Sequence, residues 1–289
     1  MSSTDRFTMR FWGVRGSIPT PGPRTARYGG NTSCVEIRCG DRLLIIDAGT
    51  GVRALGATLP HPVSADLFFS HVHWDHIQGF PFFSPVFRAG NTFRLHGQAL
   101  DGTDLRAVLG GQMSYPTFPV TLDQLGAKLS FHELRAGESR DLGDGIRLDT
   151  RPLNHPGGSV GMRFTYKGRS LVHCSDTEHP ADGFDDNVTE LCAGADWLSY
   201  DASYCQDEYL GRQGPCRVGW GHSTWEEAVR VAHHAAVKNL VLFHHDYTHD
   251  DEQLDDIHAR ARSRFPDTHM AVEGMTIDLL SGTILAPGA

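Results

Sequence analysis

Histidine and aspartate side chains are concentrated in one short segment, His-Val-His-Trp-Asp-His at residues 71–76. It directly follows Leu67–Ser70, a short apolar run that is typical of a buried strand. Residues two apart on an extended backbone project to the same side, so His71 and His73 can bind one metal ion. The turn that follows directs the aspartate and the third histidine toward a second ion. Four donors within six residues at a strand end argue against the alternative, a histidine-rich surface loop.

Further donors stand at or near the ends of later predicted strands. His155 lies in a Leu-Asn-His-Pro-Gly-Gly segment, Asp176 follows an apolar strand, and His244 or His245 follows another. Each is a weak signal alone, because a single His or Asp in a loop more often caps a turn or meets solvent. Together they provide the donors that two divalent metal ions need. Nitrogen and carboxylate ligands suit Zn²⁺ first, with Mn²⁺ or Fe as alternatives.

Short strands and a few helices must position these donors. The predicted strands are Thr32–Cys39, Arg42–Asp47, Leu67–Ser70, Thr92–Leu95, Leu129–His132, Ile146–Thr150, Val160–Tyr166, Ser170–Cys174, Trp197–Tyr200, Leu240–Phe243 and Thr276–Leu280. Two helices have clear starts, at the capping pairs Ser223 with Glu226 and Asp250 with Gln253. This order predicts an α/β protein in which two packed sheets carry helices outside, a four-layer αββα sandwich in one domain over residues 1–289.

Bulk properties limit the class of protein. The net charge of −9 argues against binding of extended nucleic acid, since proteins that grip a phosphate backbone are usually basic. The six cysteines form no Cys-x-x-Cys pair, so we expect reduced thiols. No apolar run is long enough to span a membrane, and the first residues lack the apolar stretch of a secretory signal. We therefore expect a cytoplasmic protein without a membrane partner.

Several motifs resemble the metallo-β-lactamase superfamily, and within it the branch of transfer-RNA 3′-processing nucleases and cyclic phosphodiesterases. Besides residues 71–76, these are the glycine-rich segment 11–20, the Leu-Ile-Ile-Asp-Ala-Gly-Thr-Gly segment 44–51 and the Gly-His-Ser-Thr loop 221–224. The resemblance runs along nearly the whole chain and implies the metallo-β-lactamase fold.

The resemblance also implies a role for each donor. The first metal ion would take His71, His73 and His155, and the second would take Asp75, His76 and His244. Asp176 would bridge the two ions. His244 is preferred because the family's ligand directly follows the apolar strand, and His245 is then a supporting neighbour. Asp47 is expected either to support the metal ligands from behind or only to form a turn.

A carboxylate–imidazole pair is implied as well. Asp201 stands where the nuclease branch has Glu, and that Glu holds the histidine of the His-Ser-Thr loop, here His222. The carboxylate would orient the ring and favour its protonated form. The alternative is that His222 is only a helix-terminal residue beside Ser223. His222, Asp201 and the metal-binding Asp75 form the expected catalytic group.

The expected reaction is hydrolysis of a phosphodiester by a hydroxide that bridges the two ions, with His222 as the acid. The preferred substrate is a small cyclic phosphate ester, a cyclic nucleotide or a cyclic ribose phosphate. The alternatives are an RNA-processing endonuclease of the transfer-RNA 3′-end type and a non-catalytic metal-binding sensor. The acidic charge and the absence of a basic arm between His76 and His155 favour the small substrate, so no extended nucleic acid is expected as a partner. A homodimer is left open.

Two segments could form walls of the site. The first, residues 77–87, contains Phe80, Phe82, Phe83 and Phe87, which could form an aromatic lip or pack in the core. The second, Gly110–Pro119, is rich in the residues that shape loops.

Overall fold

Two β-sheets dominate the computed structural model, which describes residues 6–99 and 102–285. The strands are β1 (Phe7–Gly13), β2 (Cys34–Cys39), β3 (Arg42–Ile46), β4 (Ser64–Phe68), β5 (Thr92–Gly97), β6 (Lys128–Glu133), β7 (Ser139–Asp141), β8 (Arg147–Leu153), β9 (Ser159–Tyr166), β10 (Arg169–Cys174), β11 (Trp197–Asp201), β12 (Asn239–Phe243), β13 (Thr268–Met270), β14 (Thr276–Asp278) and β15 (Ile284–Leu285). The first sheet has the order β15-β14-β1-β2-β3-β4-β5-β6, and the second has the order β13-β12-β11-β10-β9-β8-β7.

Helices lie between these strands along the chain. They are α1 (Gly51–Thr58), α2 (Trp74–Ile77), α3 (Leu105–Gln112), α4 (Asp186–Cys192), α5 (Gln206–Tyr209), α6 (Trp225–His234) and α7 (Asp251–Arg264). Short 3₁₀ turns cover Phe80–Phe82, Ser84–Phe87 and Leu122–Gln124. Among the residues described, no helix has the length and apolar character needed to cross a bilayer.

The two sheets pack face to face through a shared apolar core. Phe11 of β1 meets Phe243 of β12 with ring centroids 5.7 Å apart, and Phe68 of β4 meets Phe164 of β9 at 5.6 Å. The outer face of each sheet has its own core, under α1 and α3 on one side and under α4, α6 and α7 on the other. Three apolar cores between four layers confirm the predicted αββα sandwich.

Helix α6 shows why the outer layers form. Ala228, Val231 and Ala232 recur at helical spacing and are buried against the second sheet. The helix begins one residue later than predicted, because Thr224 rather than Ser223 accepts the backbone N–H of Glu227 at 3.1 Å. The capping box predicted at the start of α7 is present.

Parallel pairing gathers the strand ends that matter. β3 pairs in parallel with β4, and β10, β11 and β12 pair in parallel with one another. The carboxyl ends of parallel strands meet at one edge of a sheet, so the residues that follow them lie close together. Both sheets present such an edge to the same region, where the predicted donors lie.

Candidate metal centre and active site

The predicted donors form two adjoining groups. Ligand atoms that could serve one ion lie within 4.8 Å of one another in the group His71, His73 and His155, and likewise in the group Asp75, His76, Asp176 and His244. The first sheet contributes the donors of residues 71–76, and the second sheet contributes the other three. The structure thus brings together every residue that the sequence predicts as a metal ligand.

Asp176 lies between the two groups. Its Oδ1 is 3.7 Å from Nε2 of His71 and 3.4 Å from Nε2 of His244, and its Oδ2 is 3.2 Å from Nε2 of His76. Within the first group, Nε2 of His155 is 3.0 Å from Nδ1 of His73. This carboxylate can therefore reach donors on both sides, as a bridging ligand must.

The second group is equally compact. Nε2 of His76 lies 3.3 Å from Nε2 of His244 and 3.3 Å from Oδ2 of Asp75. His245 points away, and its Nε2 donates to the carbonyl oxygen of Ala271 at 2.9 Å. Of the two candidate histidines, the structure places only His244 in the cluster.

Hydrogen bonds hold three of the imidazole rings so that Nε2 faces the centre. His76 donates from Nδ1 to Asp47 at 2.7 Å, and His155 donates from Nδ1 to the carbonyl oxygen of Gly221 at 2.8 Å. His244 donates from Nδ1 to the Ser203 hydroxyl at 3.1 Å. Partners of this kind fix the ring orientation and the tautomer of histidine ligands.

Asp47 is more than a turn former. Besides His76, its carboxylate accepts from the backbone N–H of Ser70 at 2.8 Å and from the Ser33 hydroxyl at 3.0 Å. It therefore links the end of β3 to the donor segment that follows β4, in the supporting position that the sequence left open.

The backbone is unusual where donors leave the second sheet. Asp176 lies two residues after the end of β10 and has φ of 60°. His244 directly follows β12 and has φ of 62°. Asp47 has φ of 61°. This left-handed conformation is uncommon for residues with a side chain and often marks functional positions. It turns each side chain from the strand toward the cluster.

Two glycines give the histidine rings room. A Cβ on Gly16 would lie 2.3 Å from Cε1 of His244, and a Cβ on Gly221 would lie 2.3 Å from Nδ1 of His155. Gly221 also has φ of 85°, a conformation that favours glycine. One glycine therefore lies against each donor group.

The cluster has opposed charges. Burial lowers the pKa of His71 well below its usual value, with the nearby His76 adding to the effect. Burial also lowers the pKa of His155. Burial opposes ionisation of Asp176, but His244 and His76 outweigh it and hold its pKa well below the usual range. Burial also acts to lower the pKa of His76, but Asp176, Asp75 and Asp47 outweigh it and hold that pKa well above its usual value. His71 and His155 thus favour the neutral form that metal ligation requires, whereas His76 would have to release a proton when an ion binds.

These residues fit a pair of divalent ions. Nε2 of His71 is buried and has no hydrogen-bond partner among the described residues, although it faces the shared centre. A buried nitrogen without a partner is costly unless something binds it. Imidazole nitrogens with carboxylate oxygens form a donor set typical of zinc.

His222 and Asp201 form the predicted pair. Nδ1 of His222 donates to Oδ2 of Asp201 at 2.9 Å and lies 3.7 Å from Oδ1 of Asp176. Burial lowers the pKa of His222, but the charge and hydrogen bond of Asp201 outweigh burial and raise that pKa to about 9. Aspartate in place of glutamate therefore still reaches the ring.

The sequence missed Glu178 as a functional residue. Its Oε1 accepts from the backbone N–H of Gly219 at 2.6 Å and from the Tyr209 hydroxyl at 2.6 Å, and its Oε2 accepts from the backbone N–H of Gly221 at 2.8 Å. Glu178 thereby fixes the loop that carries His222 and the carbonyl to which His155 donates. Its position two residues after Asp176 was the only available signal.

The aromatic segment after the donors divides between core and surface. Phe80 and Phe83 are fully buried, whereas Phe82 and Phe87 are 59% and 41% exposed. Phe82 packs edge to face with Phe118 of the predicted second wall at 5.7 Å. Two of the four phenylalanines therefore pack in the core, and the other two lie at the surface.

Comparison with known families gives a direct result. The model of the beta-lactamase superfamily domain matches residues 42–245. This chain belongs to the metallo-β-lactamase superfamily. The matched range contains every predicted metal ligand together with Asp201 and His222, and the chain is a metal-dependent hydrolase of this superfamily.

Several curated relatives are named Ribonuclease Z. Ribonuclease Z of Brevibacillus brevis is 35% identical over 146 residues, a stretch that spans 49% of this chain and 40% of that protein. Ribonuclease Z of Gemmatimonas aurantiaca is 26% identical over an alignment that covers 94% of this chain and 95% of that protein. The relationship thus extends over nearly the full length, at low identity.

Solved structures confirm the fold. The Zn²⁺-bound PqqB from Methylobacterium extorquens has a TM-score of 0.72 at 15% identity, covering 94% of this chain and 100% of that one. Human tRNase Z, short form, has a TM-score of 0.65 at 19% identity, covering 94% and 99%. A diphosphatase from the PhnP family has a TM-score of 0.67 at 18% identity, covering 94% and 97%.

The expectation that no extended nucleic acid is a partner is wrong. Relatives that align along nearly the whole chain are named Ribonuclease Z. The net charge of −9 misled because it is a sum over the whole molecule. It does not fix the potential at a site where bound cations would dominate the local field.

Proposed function

We propose that this protein is a two-metal phosphodiester hydrolase that cleaves RNA, in the manner that the name of its ribonuclease Z relatives indicates. The observation that carries the proposal is the position of Asp176, within reach of both donor groups and 3.7 Å from His222. The predicted metal ligands and the predicted acid, His222, thus surround the same carboxylate, that of Asp176.

The first ion would be held by His71, His73 and His155, the second by Asp75, His76 and His244, and both by Asp176. Zinc is the preferred metal, with manganese or iron as alternatives. When bound, such ions activate water for attack and neutralise charge on the phosphoryl oxygens.

His222 would supply the proton that the leaving oxygen needs. Its Nδ1 is occupied by Asp201, which leaves Nε2 free to donate. Burial lowers the pKa of the ring, but Asp201 outweighs burial and raises it, which favours the protonated form that a general acid needs. Breakage of the P–O bond would then yield a neutral alcohol.

A small cyclic phosphate ester is the second candidate substrate. A cleft of about 350 Å³ opens beside His222, a volume in the range of small-molecule sites. A cyclic nucleotide or a cyclic ribose phosphate is small enough for a cleft of this volume.

The test is a panel of substrates offered to zinc-loaded protein: precursor transfer RNA with a 3′ trailer, cyclic nucleotides, cyclic ribose phosphate and bis(p-nitrophenyl) phosphate. We expect the RNA to be cut and the cutting to be lost in His71→Ala. His132→Ala is the matched control, since His132 is an exposed histidine outside the cluster. Hydrolysis of cyclic esters alone would select the second candidate, and silence on the whole panel would refute both.

A further inference from the structure

A cleft beside His222 is unusual in its lining. It lies between the loop that precedes His222 and the loop that follows β12, and its walls include Tyr204, Arg217, Trp220, Asp246 and Tyr247. Apart from His222, none of these residues belongs to the proposed metal centre or to the proposed acid pair. The proposed cleavage of RNA therefore leaves this cleft without an assigned ligand.

Two aromatic rings at the cleft remain open to solvent. Trp220 is 52% exposed and Tyr247 is 48% exposed. Large aromatic side chains that stay exposed beside a reaction centre mark binding surfaces, because their faces are available for stacking. A planar ring is the ligand that such faces take best.

The guanidinium group of Arg217 has a nitrogen without a hydrogen-bond partner among the described residues. Its guanidinium lies 4.8 Å from the centroid of the Tyr204 ring. Nη1 of Arg217 is buried, yet it has no hydrogen-bond partner among the residues that the structure describes. The side chain of Arg217 also lines the cleft, and phosphate oxygens are the acceptors that guanidinium groups suit.

The cleft is held in shape before any ligand arrives. The backbone N–H of Arg217 donates to the carbonyl oxygen of Tyr209 at 2.9 Å, and Glu178 binds the N–H groups on both sides of Trp220. A wall fixed in this way loses little conformational freedom on binding.

The position of His222 indicates which part of a substrate would reach the cleft. If His222 protonates the leaving oxygen, the group that carries this oxygen must extend beside His222. The cleft lies on that side, because His222 itself forms part of its lining.

We propose that this cleft binds the nucleoside whose oxygen leaves, with its base stacked against Trp220 and Tyr247 and a neighbouring phosphate on Arg217. The proposal rests on the proposed function, since it takes His222 as the acid and a nucleotide as the substrate. It adds a subsite that recognises the base without reading its identity, because stacking accepts any π face.

The test is isothermal titration calorimetry of zinc-loaded protein with adenosine 5′-monophosphate, adenosine 3′-monophosphate and base-free ribose 5-phosphate. We expect a nucleotide to bind more tightly than ribose 5-phosphate, by about 5- to 150-fold for one stacked base. Trp220→Ala should remove most of this preference, and Trp220→Phe should keep it. Arg217→Met should weaken all three ligands together.

Val218→Ala is the matched control, since Val218 lies on the same loop and is 52% exposed but does not line the cleft. It should leave the preference unchanged. A preference that survives in Trp220→Ala, or equal binding of all three ligands to the unaltered protein, would overturn the subsite. Binding does not require RNA cleavage, so a protein that shows the Trp220-dependent preference but cuts no RNA would refute the proposed function alone.

Discussion

Asp176 is unusual both in the position of its carboxylate and in its backbone conformation. Its carboxylate lies 3.7 Å from Nε2 of His71 and 3.2 Å from Nε2 of His76, and its backbone has the left-handed φ of 60°. Conformations of this kind cost about 1–3 kcal/mol each and persist where the surroundings enforce them. Asparagine tolerates the same backbone, so Asp176→Asn separates the loss of charge from the loss of shape.

We expect Asp176→Ala to retain less metal than His76→Ala. A carboxylate that bridges both ions would offset their mutual repulsion, whereas His76 would bind one ion. Elemental analysis of the two variants after zinc loading measures the difference, with His132→Ala as the control and Asp176→Asn as the charge-only variant. Equal metal content in the first two variants would show that Asp176 is not the bridge.

A second residue-scale prediction concerns His222. His222→Ala should keep the metal content and lose about 10²- to 10⁴-fold in rate on substrates with poor leaving groups. The loss should shrink for p-nitrophenolate, which leaves without a proton. The comparison of rates on the two substrate classes is the measurement, and an equal loss on both would assign His222 to positioning.

Asp201→Asn should change the pH dependence. The carboxylate of Asp201 counteracts burial and raises the pKa of His222 to about 9, so its removal lowers that pKa. The acid is active when protonated, and the alkaline limb of the pH–rate profile should therefore move to lower pH. Measuring kcat against pH for the two proteins gives the shift. An alkaline limb at the same pH in both would show that Asp201 does not control the protonation of the general acid.

At the scale of elements, strand ends were predictable and loops were not. The apolar runs before His71, Asp176 and His244 marked strands, and period-two geometry placed His71 and His73 on one side of the extended segment. Strand β1 was missed, and only its last three residues were interpreted, as the start of the glycine-rich segment 11–20. The helix start shifted from Ser223 to Thr224 because two adjacent hydroxyls compete for one cap.

Glu178 could not be predicted, for a physical reason. Its partners are backbone N–H groups 41 and 43 residues later in the chain, and such bonds leave no pattern of side-chain types. The packing of the loop on the end of β10 creates them, so only the folded structure reveals them.

We expect Glu178→Ala to lower activity more than its distance from the donors suggests. Loss of the carboxylate leaves the N–H groups of Gly219 and Gly221 without their acceptor and frees the loop that holds both His222 and the partner of His155. Metal content and kcat/KM should fall together. Glu190→Ala, which alters an exposed carboxylate, should leave both unchanged, and a Glu178→Ala protein with normal metal content and rate would contradict this role.

At the scale of the whole molecule, the donors join the two sheets. Residues 71–76 follow a strand of the first sheet, and His155, Asp176 and His244 follow strands of the second. Ions bound by both sheets favour the folded state, since the unfolded chain does not preserve the arrangement.

Metal removal should therefore lower the thermal stability. Binding at about 1,000 times Kd contributes roughly 4 kcal/mol, which corresponds to several degrees in Tm for a chain of this size. Thermal unfolding before and after dialysis against a chelator, followed by zinc restoration, measures the change. An unaltered Tm would mean that the donors do not bind ions across the sheets.

The glycines beneath two histidine rings open a route to a mononuclear enzyme. One methyl group at Gly16 would displace His244, and one at Gly221 would displace His155, while every donor atom stays in the chain. In the proposed two-metal arrangement, each substitution would weaken the binding of a different ion, although all the ligand residues would still be present. A single codon change at either glycine could thus convert a binuclear hydrolase into a one-metal protein, a step open to evolution and to protein engineering alike.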